Sequence, residues 1–193
     1  MCRVRRRLAP RVASLLLGVV LIFGHLDSAA QPNAAGEMEI KAAFLFNFAK
    51  FVDWPAGTLL HPDDPIWFCL WGGESFEPVL TRTVEGKNVD GHPLRVRSMH
   101  SLPEIRGCQI LFVSAFRDAR WPQPLQENLP GVLTVGEEEN FARAGGVINF
   151  VLENDHISFE INVDASGRSG VKISSKLLSL ARIVHDDPSL KRD

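Results

Sequence analysis

The sequence predicts one α/β domain: a layered, mixed β-sheet flanked by helices, ending in a β-hairpin and a helix. Three observations carry this reading. Short apolar runs of strand length alternate with segments of helical periodicity from residue 37 onward, the pattern of a layered α/β chain. Near the C-terminus, Val147, Ile148, Phe150 and Val151 run into a turn at Asn154-Asp155. Ile157, Phe159, Ile161 and Val163 then alternate with Ser158, Glu160 and Asn162, as in a hairpin with one buried face. Third, the turn glycines do not form a phosphate cradle: Gly72-Gly73 lacks G-x-G-x-x-G spacing, and no G-x-x-x-x-G-K-[ST] occurs. The layering is therefore Rossmann-like without a nucleotide site.

The elements follow in order. Residues 1–30 have the grammar of an export signal: five arginines up to Arg11, a twelve-residue apolar run over 12–23, and Ser28-Ala29-Ala30 before the expected cut. Twelve apolar residues fall short of the roughly twenty that a spanning helix needs. Residues 31–36 read as a flexible N-terminus, 37–185 as the domain, and 186–193 as a flexible tail. The first helix covers 37–52 and stops near Asp53, because Pro55 pushes Trp54 out of the helical region. Residues 66–71 form a buried strand, broken by Gly72-Gly73, with Ser75 as N-cap of a short helix to about Thr83. A second strand covers 93–99 after an Asp90-Gly91 turn, and a third covers 109–114. A helix is expected within 117–128, a fourth strand at 131–135, and a short helix at 137–144 with its acidic residues at the favoured N-terminal end. After the hairpin, a glycine-flanked corner leads into a last helix. Its core stripe is Ile173, Leu177, Leu180, Ala181 and Val184, and Gly170 supplies a left-handed turn before it.

Composition narrows the function. Cleavage after residue 30 would leave 163 residues with 16 basic and 22 acidic side chains, a net charge of −6. An acidic domain without basic clusters argues against nucleic-acid binding and against attachment to anionic lipid, and no second apolar run approaches spanning length. The mature protein is expected to be soluble. Cys69 and Cys108 are then the remaining cysteines. In an oxidising compartment such a pair is most simply a disulfide, worth about 4 kcal/mol on a chain-entropy argument. Two free buried thiols are the alternative, and the spacing matches no metal-ligand motif.

The catalytic inventory is poor. His61, His92, His100, His156 and His185 are scattered without an H-E-x-x-H motif, Ser114 lacks a G-x-S-x-G setting, and Asp63-Asp64 reads as a loop. No cofactor and no metal are expected. Binding candidates are clearer. At about 100° per residue, Met38, Ile40, Phe44, Leu45, Phe48, Phe51 and Val52 share one arc of the first helix. Phe46 falls outside it, between Lys50 and Asp53. An aromatic residue there is either a contact residue or covered by another element, and Trp54 at the helix exit could extend the same patch. Lys41 breaks the opposite rule, lying within the apolar arc, so it either snorkels or meets a specific buried partner. Glu160 and Asn162 face away from the apolar side of their strand, with Arg168, Lys172 and Lys176 shortly after. If the corner folds back, Glu160, Asn162, Arg168 and Lys172 line a small polar cleft; otherwise they are a solvated face.

Two stretches carry a family resemblance: residues 41–55, KAAFLFNFAKFVDWP, and residues 145–184, GGVINFVLENDHISFEINVDASGRSGVKISSKLLSLARIV. Together they make the chain resemble the YfiR family of small periplasmic proteins, over roughly residues 37–184. The resemblance implies a non-enzymatic repressor that binds the periplasmic sensor domain of an inner-membrane diguanylate cyclase, lowers cyclic-di-GMP and restrains biofilm formation. It also implies release by an outer-membrane lipoprotein, a tendency to form homodimers, and a bridge between Cys69 and Cys108. The strand-to-helix corner is the natural carry-over for binding. Some relatives hold a second cysteine pair nearer the C-terminus, which this chain lacks. The rival reading is a periplasmic small-ligand sensor acting on another membrane receptor.

Overall fold

The structure is a computed structural model, describing residues 34–114, 129–154 and 156–190. The expected export segment, the helix expected within 117–128 and the last residues of the expected tail lie outside those described. Helix α1 (Ala34–Lys50) leads into a two-residue strand β1 (Val52–Asp53). Then come β2 (Ile66–Trp71), α2 (Glu77–Val84), β3 (Asn88–Val89), β4 (His92–Met99), a 3-10 turn (Leu102–Ile105), β5 (Ile110–Val113) and β6 (Leu133–Gly136). The hairpin is β7 (Ile148–Glu153) and β8 (His156–Asn162). It is followed by α3 (Val163–Ser169), β9 (Lys172–Ile173), α4 (Ser175–Leu178), β10 (Arg182–Val184) and a 3-10 turn (Pro188–Leu190).

Among the described residues, eight strands form one mixed sheet in the order β10-β8-β7-β6-β5-β2-β4-β3, and β1 and β9 form a separate antiparallel ribbon. The interior of the large sheet, from β4 through β7, is parallel. The hairpins β3–β4 and β7–β8 are antiparallel, and β10 returns parallel to β8. The α/β layering and the mixed sheet are thus as the sequence predicts.

Alternation decides the two faces. Ile66, Phe68 and Leu70 of β2, Ile110 and Phe112 of β5, Ile148 and Phe150 of β7, and Phe159 and Ile161 of β8 belong to the main core, with Leu45, Phe48 and Ala49 of α1. The helix lies on the hairpin through four phenylalanines. Phe48 sits 5.2 Å from Phe159 and 5.7 Å from Phe150, and Phe44 sits 5.4 Å from Phe159, centroid to centroid. The opposite face carries a smaller cluster around Cys69, Met99, Cys108, Leu111, Val113 and Phe141. Cys69 and Cys108 are joined by a disulfide, with Cα atoms 5.9 Å apart. Arg97 lies over it, donating through Nε to Cys69 Sγ at 3.3 Å and through Nη2 to the carbonyls of Glu104 and Arg106, both at 3.0 Å. Its guanidinium stacks on Trp67, 4.9 Å from the ring centre.

Several expectations are corrected. Helix α2 starts after Phe76 without a side-chain cap, so Ser75 is not its N-cap. Residues 137–144 form a bend and consecutive turns from 139 onward, not a helix. Asn140 is left-handed (φ 64°). The Phe141 ring fills the space where a side chain at Gly136 or Gly146 would sit, a Cβ on Gly146 falling 2.0 Å from it. The closing helix is replaced by α3, β9, α4 and β10. Asn162 ends β8 and caps α3, its Oδ1 accepting from the N–H groups of Asp164 (2.9 Å) and Ala165 (3.0 Å). Gly170 is left-handed (φ 74°) but terminates α3. In the proposed stripe, Leu177 and Val184 are buried while Leu180 is 73 % exposed. Ile40, assigned to the core arc, is 46 % exposed. Beyond Val184 the chain stays attached: Asp187 donates its N–H to the Arg143 carbonyl at 2.8 Å.

Replacing both cysteines by serine should lower the unfolding free energy by about 2–4 kcal/mol in denaturant titrations. Alkylation of the unreduced, unfolded protein after export, which would remove Cys2, should find no free thiol; two modified cysteines would contradict the bridge.

Candidate functional site

The C-terminal end of α1 brings together two of the three residues expected to form a contact patch. Lys50 is exposed, and Phe46 is half-buried with part of its ring against the core. The Lys50 Nζ lies 5.5 Å from the Phe46 ring centre and 6.0 Å from that of Phe51. A second cation was not foreseen: Lys87, in the turn between α2 and β3, places its Nζ 4.5 Å from the same Phe46 ring. Phe46 is therefore neither a free aromatic residue nor a covered one. It is a surface platform holding two ammonium groups, each attracted by the ring quadrupole. Residues 41 positions apart make this pair, so helical periodicity could not reveal it. Trp54 is held elsewhere. Its Nε1 donates to the Gln109 carbonyl at 3.2 Å, just before β5, and the Gln109 side chain accepts from Trp67 N at 2.8 Å.

The second expected site is reorganised. Glu160 and Asn162 are buried on the polar face of β8, but each is engaged within the fold. Glu160 pairs with Arg182 Nε at 3.0 Å, its neighbour in register on β10, and lies 3.9 Å from Arg143. Asn162 Nδ2 donates to the Ala142 carbonyl at 2.6 Å and to Asp186 at 2.7 Å. Arg168 closes on Asp186, with Nη2 3.1 Å from Oδ1. Lys172 does not join them; it is exposed on β9, opposite Asp53 of β1. Two of the four residues, Asn162 and Arg168, thus meet at Asp186, a residue assigned to the tail, while Glu160 pairs separately with Arg182. Next to it, His185 and Asp186 N both approach the Asp164 carboxylate. These hydrogen bonds hold the Asp164 acid below its ordinary value, the bond from Asp186 first.

Lys41 proves to have specific, half-buried partners. Its Nζ sits 2.5 Å from Glu37 and 2.6 Å from Glu137, and Ser114 Oγ donates to the other Glu137 oxygen at 2.7 Å. Burial pulls the ammonium pKa down, but hydrogen bonds and attraction from Glu137 and Glu37 outweigh it and leave the group above its usual value. The clamp ties α1 to the segment after β6. A concavity of about 730 Å³ opens where the chain enters β5 and β6, lined by Thr58, Ile105, Cys108, Leu129 and Val132 among others. Among the described residues, no group of three or more His, Cys, Asp or Glu side chains could hold a metal ion, and no helix is long and apolar enough to cross a membrane.

Residues 38–182 match the YfiR/HmsC-like family. The chain belongs to that family. The match takes in most of α1 and the large sheet except the end of β10, and stops short of His185 and Asp186. YfiR/HmsC-like proteins are periplasmic regulators of cyclic-di-GMP signalling. One solved structure in the comparison is an ABC domain from Streptococcus pneumonia, crystallised in complex with L-Trp. It shares 11 % identity over 62 % of this chain and 55 % of that one, with a TM-score of 0.38. The match spans about half that chain's length.

Lys41 gives a test of sign. A lysine whose folded-state pKa is raised stabilises the protein fully below the usual value and loses that contribution as pH rises through the folded value. In urea titrations from about pH 8 to about pH 12, wild-type stability should fall more steeply at the alkaline end than that of Lys41→Met. At neutral pH the variant should be weaker by about 1–3 kcal/mol, because Glu137 loses its cation and keeps only the Ser114 hydroxyl.

Proposed function

We propose that this chain is a periplasmic regulatory binding protein that represses an inner-membrane diguanylate cyclase by binding its periplasmic sensor domain, so lowering cyclic-di-GMP and biofilm formation. The observation that carries the reading is the family match across residues 38–182. The site geometry supports binding over chemistry. Glu160 and Asn162 on the polar face of β8 are committed to partners within the fold, whereas Phe46, Lys50 and Lys87 sit at the surface. Aromatic residues backed by a core are the usual anchors of protein interfaces. Repression asks little of such a surface: a hundredfold preference for the inactive receptor arrangement is worth about 2.7 kcal/mol. A homodimer, release by an outer-membrane lipoprotein, and export by removal of residues 1–30 belong to the same proposal.

The rival, a small-ligand sensor, loses the cleft expected at Glu160, Asn162, Arg168 and Lys172. Its support is instead the concavity of about 730 Å³ beside the disulfide, which falls within the size range of small-molecule sites.

Two experiments test the reading. Deleting the gene should raise cellular cyclic-di-GMP, and complementation should restore it; an unchanged level would remove the repressor assignment. In vitro, Phe46→Ala should weaken capture of the cyclase's periplasmic domain about tenfold. It should cost only about 1 kcal/mol of stability, since part of the ring packs on the core. A variant that binds normally would clear Phe46 of the contact role. A purified protein that takes up a small metabolite and captures no receptor domain would favour the sensor.

A further inference from the structure

We propose that Lys50 and Lys87, converging on the Phe46 ring, form a receiving site for side-chain carboxylates on an acidic segment of a protein partner. This inference deepens the contact surface proposed above and rests on that reading.

The argument is one of charge. Two ammonium groups drawn to one phenyl ring repel each other, and the ring quadrupole offsets that repulsion only weakly. Neither lysine makes an ion pair among the described residues, in a chain where acids outnumber bases; what sets the two apart is that both converge on one ring. The cations are therefore held in place by carbon, with no carboxylate completing them. Lys50 also closes α1, where the helix C-terminus favours a cation and keeps it from folding away. A glutamate or aspartate arriving there would lay its methylene groups on the half-buried Phe46 ring and its carboxylate between the two ammonium groups. An anionic membrane fits less well. Exposed Asp53 and Glu85 lie within three residues of Lys50 and Lys87, and the domain as a whole is acidic, so a flat negative surface meets repulsion that a narrow segment avoids.

The test uses the exported protein, isotope-labelled for NMR, titrated with a hexaglutamate peptide at low salt. The proposal expects saturable shifts of the Lys50 and Lys87 ammonium signals and the Phe46 ring. Affinity should fall about tenfold when salt rises from roughly 20 to roughly 200 mM. The response should vanish in Lys50→Gln/Lys87→Gln and persist in Lys172→Gln/Lys176→Gln. No shift at these residues, or an equal response at Lys172 and Lys176, would overturn it. Binding to phosphatidylglycerol vesicles that is lost in Lys50→Gln/Lys87→Gln would overturn the protein partner in favour of a membrane. Capture of the cyclase domain that survives Lys50→Gln/Lys87→Gln would remove this inference and leave the regulatory reading standing. Hexaglutamate binding at Phe46 without any cyclase capture would do the reverse.

Discussion

The contact on which the rest of this structure depends is the seating of α1 on the β7–β8 hairpin. Phe44 and Phe48 on the helix meet Phe150 and Phe159 on the strands, all within stacking or edge-on distance. Four aromatic rings bury a large apolar area in a small space, and their tilted and stacked arrangements suit ring quadrupoles. They hold the first helix against the hairpin that ends more than a hundred residues later. Once α1 is fixed there, the positions of both of its charged features follow. Lys41, one turn before Phe44 and Leu45, is carried to Glu137. Phe46, displaced from the aromatic face, is left at the rim where Lys50 and Lys87 reach it.

The layered architecture was legible because its signals are local and periodic. The run Ile66–Trp71 and the alternation from Ile157 to Ile161 each stand out, and both lie in the sheet where expected. The segment after Asn162 was not legible, for a physical reason. Its apolar residues, Ile173, Leu177 and Val184, happen to fit a helical stripe, but they are distributed over a ribbon strand, a single helical turn and an edge strand. Serine and glycine in residues 164–170 argued for a corner. The chain instead builds α3, because Asn162 satisfies two of its free N–H groups. Residues 137–144 erred the other way: favourable charges at the start of a helix were outweighed by the lodging of Phe141 between two glycines.

The candidate sites show the same division. That Phe46 and Lys41 were unusual could be read from helix periodicity alone. Their partners could not: Lys87 and Glu137 are far along the chain, and only the tertiary fold brings them in. On the polar face of β8, residue type was read correctly but its use was not. Glu160 and Asn162 are buried, and buried polar groups need partners. Those partners arrived from Arg182 and Asp186, in a return strand and in the segment after it.

The disulfide has a consequence of a different kind. Cys69 lies in β2 and Cys108 just before β5, neighbours in the sheet but 39 positions apart in the chain. Everything between them, including α2 and the edge hairpin β3–β4, is a closed covalent ring laid against the sheet margin. A protease that nicks this ring once leaves the halves joined through sulfur, and the core strands on either side need not part. In a compartment where a damaged protein cannot be refolded by ATP-driven machinery, such a ring confines the injury to the margin.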